Sequence, residues 1–274
     1  MKSRINFSTI LAILVLFIIV ILSVFAPLLS KYDPIQIDMT NSLLKPCSDH
    51  LLGTDELGRD ILSRIMHGGR QSILLAVIAT IISMSIGMII GILAGFYGGK
   101  VDVLITSISN IFQGVPGMSM MIVVAAIMGP GVKSMLFAIV ITSWVSFSRL
   151  VRGEVMKIKK ENYIEGIMSI GASNIYIMIN HILPNLLSYI IVIFASRIAS
   201  TILSVASLSF LGLGLQPPTP DWGVMINDAR MYFRTNPIMA IAPGMCIMAV
   251  SLSINIISDY LREKLDIRRD ALSE

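Results

Sequence analysis

From Gln71 to Tyr97 the chain carries no charged side chain at all. A bilayer core about 30 Å thick is crossed by about 20 apolar residues of helix, so this stretch is long enough to span one. Five other stretches qualify alongside it. The first runs from Ile10 to Leu29. The third and fourth share the region between Asp102 and Arg149, broken by Gly129-Pro130-Gly131 and Lys133, and the fourth reads as short. The fifth lies within Leu186 to Leu215, interrupted by Arg197, and the sixth runs from Pro237 to Ser258. The expected fold is therefore all-α, a membrane protein with six transmembrane helices and lipid as its main surroundings.

Composition agrees, with 55% hydrophobic residues, 14% charged residues and a mean hydropathy of +0.81. The formal net charge of +4 does not point to nucleic acid, because Lys and Arg sit in short clusters between apolar runs and not along a polar face. Cys47 and Cys246 belong to no CxxC or Cys/His pattern, and the three histidines, His50, His67 and His181, show no ligand spacing, so no metal site is expected. The basic start Met1-Lys2-Ser3-Arg4 followed by an apolar run resembles a secretion signal. Its small-residue candidate Val24-Phe25-Ala26 precedes Pro27, however, and the segment reads as a retained anchor helix.

Six crossings place both termini on one side. Putting them inside leaves twelve Lys and Arg residues inside and eight outside, with Arg197 within the bilayer, so the termini are expected to be cytoplasmic. Residues 1–70 then form an anchor helix and an external amphipathic segment. Residues 71–262 form the transmembrane core, with a cytoplasmic loop at 149–185, and residues 263–274 form a cytoplasmic tail. Thr54 as N-cap, Asp55 and Glu56 in the first turn, and Gly68-Gly69 as a stop predict a surface helix before the second span.

Within the spans three features stand out. Ser83, Gly87, Gly91 and Gly95 recur every four residues and predict a groove where another helix packs closely. Pro116 and Gly117, in Gln113-Gly114-Val115-Pro116-Gly117, predict a kink and a candidate pathway wall. Arg197 costs about 2.5 to 3.5 kcal/mol at a span's centre, which predicts that it faces the bundle interior or a cavity. The loop at 149–185 reads as two short helices: Glu161 to Ile170, ended by Gly171, and an amphipathic piece leading to His181 and Pro184. Such an element suits the transmission of force from a soluble partner. It does not bind nucleotide itself, since the chain has no GxxxxGK[ST] loop.

The spacing Glu165, Gly171, Leu183-Pro184 resembles the EAA loop of ABC-importer permeases. The run from His50 through Asp60 to Arg70 is similar to a hallmark of the dipeptide, oligopeptide and nickel permease family. Ser209 to Gly214, with Pro218 to Gly223 after it, resembles that family's fifth-span exit and external loop. The resemblance implies a type I importer permease fold (MetI-like) that moves solute by alternating access. It also implies three kinds of partner, a homologous second permease, two ATP-binding subunits that hydrolyse the ATP, and an external solute-binding protein, beside the membrane lipid expected from the apolar spans. No cofactor is bound by this chain. The ATPase-coupling residues would be Glu161, Glu165, Gly166, Gly171, Leu183 and Pro184. Gly166 and Ile167 stand where the motif usually has alanines, and Gly166 loosens its helix by about 1 kcal/mol relative to alanine.

Many peptide permeases of the family resemble one another in an acidic residue at the position of Val205, which joins Arg197 as a pathway candidate. The run Asp221 to Arg230, with Asp221, Trp222 and Asp228 in the external loop, is similar to the nickel branch, so the substrate expectation is nickel or a nickel chelate ahead of di- or oligopeptides. Two other classes compete. An ion-coupled secondary transporter is expected to place carboxylates deep in its spans, and none lies there. An intramembrane enzyme is expected to show HExxH or GxSxG, and neither occurs.

Overall fold

The computed structural model describes residues 6–270. Lys2 and Arg4, which enter the charge count, lie outside the described residues, as do positions 271–274 of the tail. All named elements are helical. Helix α1 (Phe7–Val24) breaks at Phe25, where Pro27 in the first turn of α2 (Ala26–Leu29) is tolerated because that turn has no hydrogen bond to lose. Helix α3 (Ile61–Tyr97) leads to α4 (Gly99–Gln113), α5 (Gly117–Met128) and α6 (Val132–Ile158). The short α7 (Asn162–Ser169) and α8 (Asn174–Ile177) precede α9 (Leu183–Phe210), then α10 (Trp222–Asp228) and α11 (Ile238–Asp270). Among the described residues five helices are long and apolar enough to cross a membrane, and six if α4 and α5 count as one broken span.

The predicted surface helix starting at Thr54 does not form. Thr54 and Asp60 instead make an antiparallel bridge, and Asp60 caps α3, its carboxylate accepting the Ser63 N–H at 2.7 Å. Nor do Gly68 and Gly69 end a helix. A side-chain carbon at Gly69 would lie 2.4 Å from Ser23 Oγ and 2.7 Å from Trp222, and one at Gly68 would lie 3.3 Å from the Asp221 backbone. These glycines permit close approach in mid-helix, and α3 runs through the boundary expected at residue 70 without a break. Its 37 residues span about 55 Å, well beyond the bilayer core.

The fourth span is not short: α6 has 27 residues. Lys133 sits in its first turn, where it does not interrupt the helix. The small-residue stripe packs against α6 as expected. Carbons added at Gly87, Gly91 and Gly95 would meet the carbonyl oxygens of Trp144, Ser148 and Arg152 at 2.7, 2.6 and 2.8 Å. The expected kink at Pro116 is a full break, with α4 and α5 meeting at 83°. Proline lacks the N–H that would continue the ladder, and Gly129 (φ +81°) and Gly131 (φ +147°) then turn the chain into α6.

Two buried clusters hold the bundle. The larger joins Ile61 and Leu75 of α3 to Ile202 and Leu208 of α9 and to Trp222. The smaller joins Phe96 and Phe147 to Ile164, Ile177 and Ile182, and so fastens the α7–α8 region to the ends of α3 and α6. Thr80 Oγ1 donates to Thr201 Oγ1 (3.0 Å), and Ser258 Oγ donates to the Val192 carbonyl (3.0 Å), tying α3 and α11 to α9. Helix α11 continues past the sixth span into the expected tail as far as Asp270.

Candidate functional site

The two ends of α3 mark the two ends of the bundle. At its C-terminal end Phe96 packs with Ile158 and Ile164, and Lys159 Nζ donates to the Phe96 carbonyl at 2.6 Å. Helix α7 therefore lies across this end. Ile164 is fully buried and pins it, while Tyr163, Glu165 and Gly166 on the same helix are exposed. Glu161 stands at the N-cap position but makes no capping bond with its side chain, and it too is exposed. Gly171 ends the helix at φ +84°, a left-handed conformation that favours glycine.

Beyond Gly171 the second piece of the loop is not a separate helix. Ser173 caps α8, and a π-turn over Met178–Ile182 joins α8 directly to α9, with Leu183 and Pro184 opening α9. Ile170 (85% exposed), Ile175, Tyr176 and Ile179 leave an apolar surface around the exposed face of α7. Ile164 and Ile177 pin the two short helices to the same buried cluster, and α8 runs on into span α9. The predicted coupling residues thus cluster at one end of the bundle, where the smaller hydrophobic core anchors them.

At the opposite end lies an ionic network that sequence spacing does not reveal. Arg59 Nε donates to Asp55 at 2.6 Å and its Nη2 to Glu56 at 3.1 Å. Arg64, 2% exposed, reaches Asp55 at 3.3 Å and Asp228 at 3.4 Å, and donates to the Pro34 carbonyl at 3.3 Å. His50 Nδ1 lies 3.0 Å from Asp60, and the Tyr32 ring stacks on His50 at 4.6 Å. Burial pushes the Asp228 carboxyl above its ordinary range against the downward pull of Arg64 and Arg59, and burial also raises that of Glu56. Asp221 and Trp222 are fully buried. Asp221 accepts N–H groups of Gly223 and Val224 at the start of α10 and the Ser72 hydroxyl at 2.6 Å, and Trp222 Nε1 donates to the Ile65 carbonyl at 3.0 Å. These two residues therefore fasten α10 to α3. Of the external-loop residues singled out, only Asp228 joins the ionic network.

Between the ends, Arg197 lines two clefts, as its cost in lipid predicts. Val205 lines neither of them and is fully buried in the larger core. Pro116 and Gly117 are exposed at the α4–α5 elbow. On the α7 side of that elbow, Arg152 donates through Nε and Nη2 to the two Asp102 carboxylate oxygens and Arg149 donates to Asn110, so α6 grips α4 by two arginines.

The chain is similar to known importers over most of its length. Residues 87–267 match the family described as binding-protein-dependent transport system inner membrane component. A glutathione transport system permease protein, GsiD, from Escherichia coli O6:K15:H31 (strain 536 / UPEC) is 41% identical over 93% of this chain and 84% of that protein. GsiD from Shigella boydii serotype 4 (strain Sb227) gives the same values, and GsiD from Shigella dysenteriae serotype 1 (strain Sd197) is 40% identical over the same shares. Among solved structures, the inward-facing MetNI methionine ABC transporter matches with a TM-score of 0.62 at 14% identity, covering 73% of this chain and 95% of that one, which establishes the MetI-like fold. Such relatives are transport permeases and not enzymes, and in importers of this kind ATP is used by partner subunits. The chain belongs to the binding-protein-dependent transport system inner membrane component family and is a multi-pass inner-membrane permease subunit of an ABC importer.

Proposed function

We propose that this permease passes small peptides, glutathione among them, into the cell, with the α7 end in the cytoplasm and the Arg64–Asp228 end outside. The observation that carries the reading is helix α7. It is pinned by one buried residue, presents Glu165 and an apolar surface outward, and is followed across the Gly171 turn by α8, which runs on into span α9. One of two ATP-binding subunits docks there, a homologous second permease takes the other and completes the pathway, and an external binding protein delivers solute to the opposite end. The excess of Lys and Arg near the α7 end supports this orientation.

The peptide class is supported by 40–41% identity to glutathione permeases over 93% of the chain. Nickel has less support. The run that resembles the nickel branch has Asp221 engaged in capping α10 and Trp222 in core packing, and no group of three or more His, Cys, Asp or Glu is placed to hold a metal among the described residues. The complete importer in proteoliposomes is expected to accumulate radiolabelled glutathione on ATP addition and to leave radioactive nickel outside. ATP-driven nickel accumulation without uptake of glutathione or any short peptide contradicts the reading.

A further inference from the structure

Arg197 lies near the midpoint of α9 and opens onto two clefts at once. One, of about 160 Å³, lies toward α3 and α6, and the other, of about 390 Å³, lies toward α11; Ser200 lines both. Among the described residues no carboxylate lines either cleft, and Arg262 adds a second cation to the larger one. Among the described residues Arg197 forms no ion pair. An arginine placed in a span without an anionic partner of its own is costly unless it faces water or meets an anion that arrives there.

The hydroxyls around it have a definite polarity. Ser200 Oγ and Thr201 Oγ1 donate to the Arg197 carbonyl at 2.9 and 2.8 Å, Ser204 Oγ to the Ser200 carbonyl at 3.2 Å, and Ser83 Oγ to the Ala79 carbonyl at 2.7 Å. With the protons committed to their own helices, these oxygens keep lone pairs for other donors. A planar donor fork thus stands beside a wall of acceptors. A carboxylate matches the first, which can hold both its oxygens, and amide or ammonium N–H groups match the second.

We propose that Arg197 and the hydroxyl-lined cleft beside it form a transit site for the C-terminal carboxylate of a small peptide. The proposal rests on the peptide reading above and adds to it a specific recognition chemistry within the membrane. It is tested in the complete importer with two radiolabelled tripeptides, one ending in a free carboxylate and one in its amide, each delivered by saturated binding protein. The wild type is expected to import the acid faster than the amide by about tenfold or more, the range of a hydrogen bond to a charged group. Arg197→Gln is expected to bring that ratio close to one. Arg197→Lys, which keeps the charge and loses the planar fork, is expected to fall between, and it supplies the ratio if the glutamine variant assembles poorly.

A ratio near one in the wild type, or an acid preference that survives in both variants, overturns the site. Equal loss of both peptides with the ratio preserved marks a guanidinium that pairs with a neighbouring subunit, and it overturns the site as well. If the wild type imports neither tripeptide nor glutathione, the substrate reading fails and the transit site falls with it. Peptide import with an unmoved ratio removes the transit site alone.

Discussion

Replacing Glu165 with lysine is expected to abolish uptake by the complete importer while leaving the amount of protein in the membrane unchanged. Glu165 is exposed in the first turn of α7, and its backbone N–H bonds the Glu161 carbonyl at 3.2 Å, so the side chain contributes little to the fold of the isolated chain. Its proposed role lies in the contact with the ATP-binding subunit. Reversing a charge buried in a protein interface leaves the partner's charge unpaired and sets like charges together, which costs about 2–5 kcal/mol or more. Transport is then expected to fall by well over about tenfold, since each 1.4 kcal/mol is a factor of ten. ATP hydrolysis by the assembly becomes uncoupled from binding protein or is lost. Normal uptake by a normally expressed variant would reject the docking role of α7.

Arg64→Leu is expected to destabilise the other end of the bundle by about 3–5 kcal/mol, the usual result of removing one partner from a buried charge cluster. Arg64 links Asp55, Asp228 and the Pro34 carbonyl, so it holds three separate parts of the chain together. Arg59 stays in contact with Asp55 and, at 3.6 Å, with Asp228, but it cannot also replace the bond to Pro34. The loss is expected to show as a lower melting temperature in detergent and as faster proteolysis within residues 30–60, the segment that the network ties down. Arg64→Lys restores only part of the stability, because an ammonium group lacks the planar fork that reaches two carboxylates and a carbonyl. Unchanged melting and unchanged proteolysis in the leucine variant would show that the network does not secure this segment.

These two sites differ in how much of them can be read from sequence. Glu165 lies in a local pattern: an apolar period of three and four, a terminating glycine and a proline that opens the next helix, all within a short stretch of chain. The stripe of Gly87, Gly91 and Gly95 is legible for the same reason, because a four-residue repeat on one helix defines a face. Arg64 and Asp228 are 164 positions apart, and no local pattern announces their pairing. Residues 30–70 show only a near balance of charges, which fits a solvated loop as well as the network that forms.

Gly68 and Gly69 show a similar limit. Gly68 and Gly69 look like a helix stop when only neighbours in sequence are considered. Their cause is a tertiary contact, since Ser23, Asp221 and Trp222 press against them from other parts of the chain. In sequence the fourth span looks short because Lys133 and Arg149 bracket its apolar stretch. Helix α6 runs on past Arg149 to Ile158, and Arg149 and Arg152 bond Asn110 and Asp102 of α4 there. Apolar runs thus report the part of a helix that lipid surrounds, whereas the full helix is set by its contacts with protein.

On the function proposed above, this bundle is driven through α7 by subunits that hydrolyse ATP. Glutathione uptake into proteoliposomes tests it most directly, comparing vesicles that contain only this chain with vesicles that contain the complete importer and external binding protein. ATP-dependent accumulation by the complete importer, with none by the chain alone under any ion gradient, is the predicted result. Concentrative uptake by the chain alone would show that it needs no ATP-hydrolysing partner.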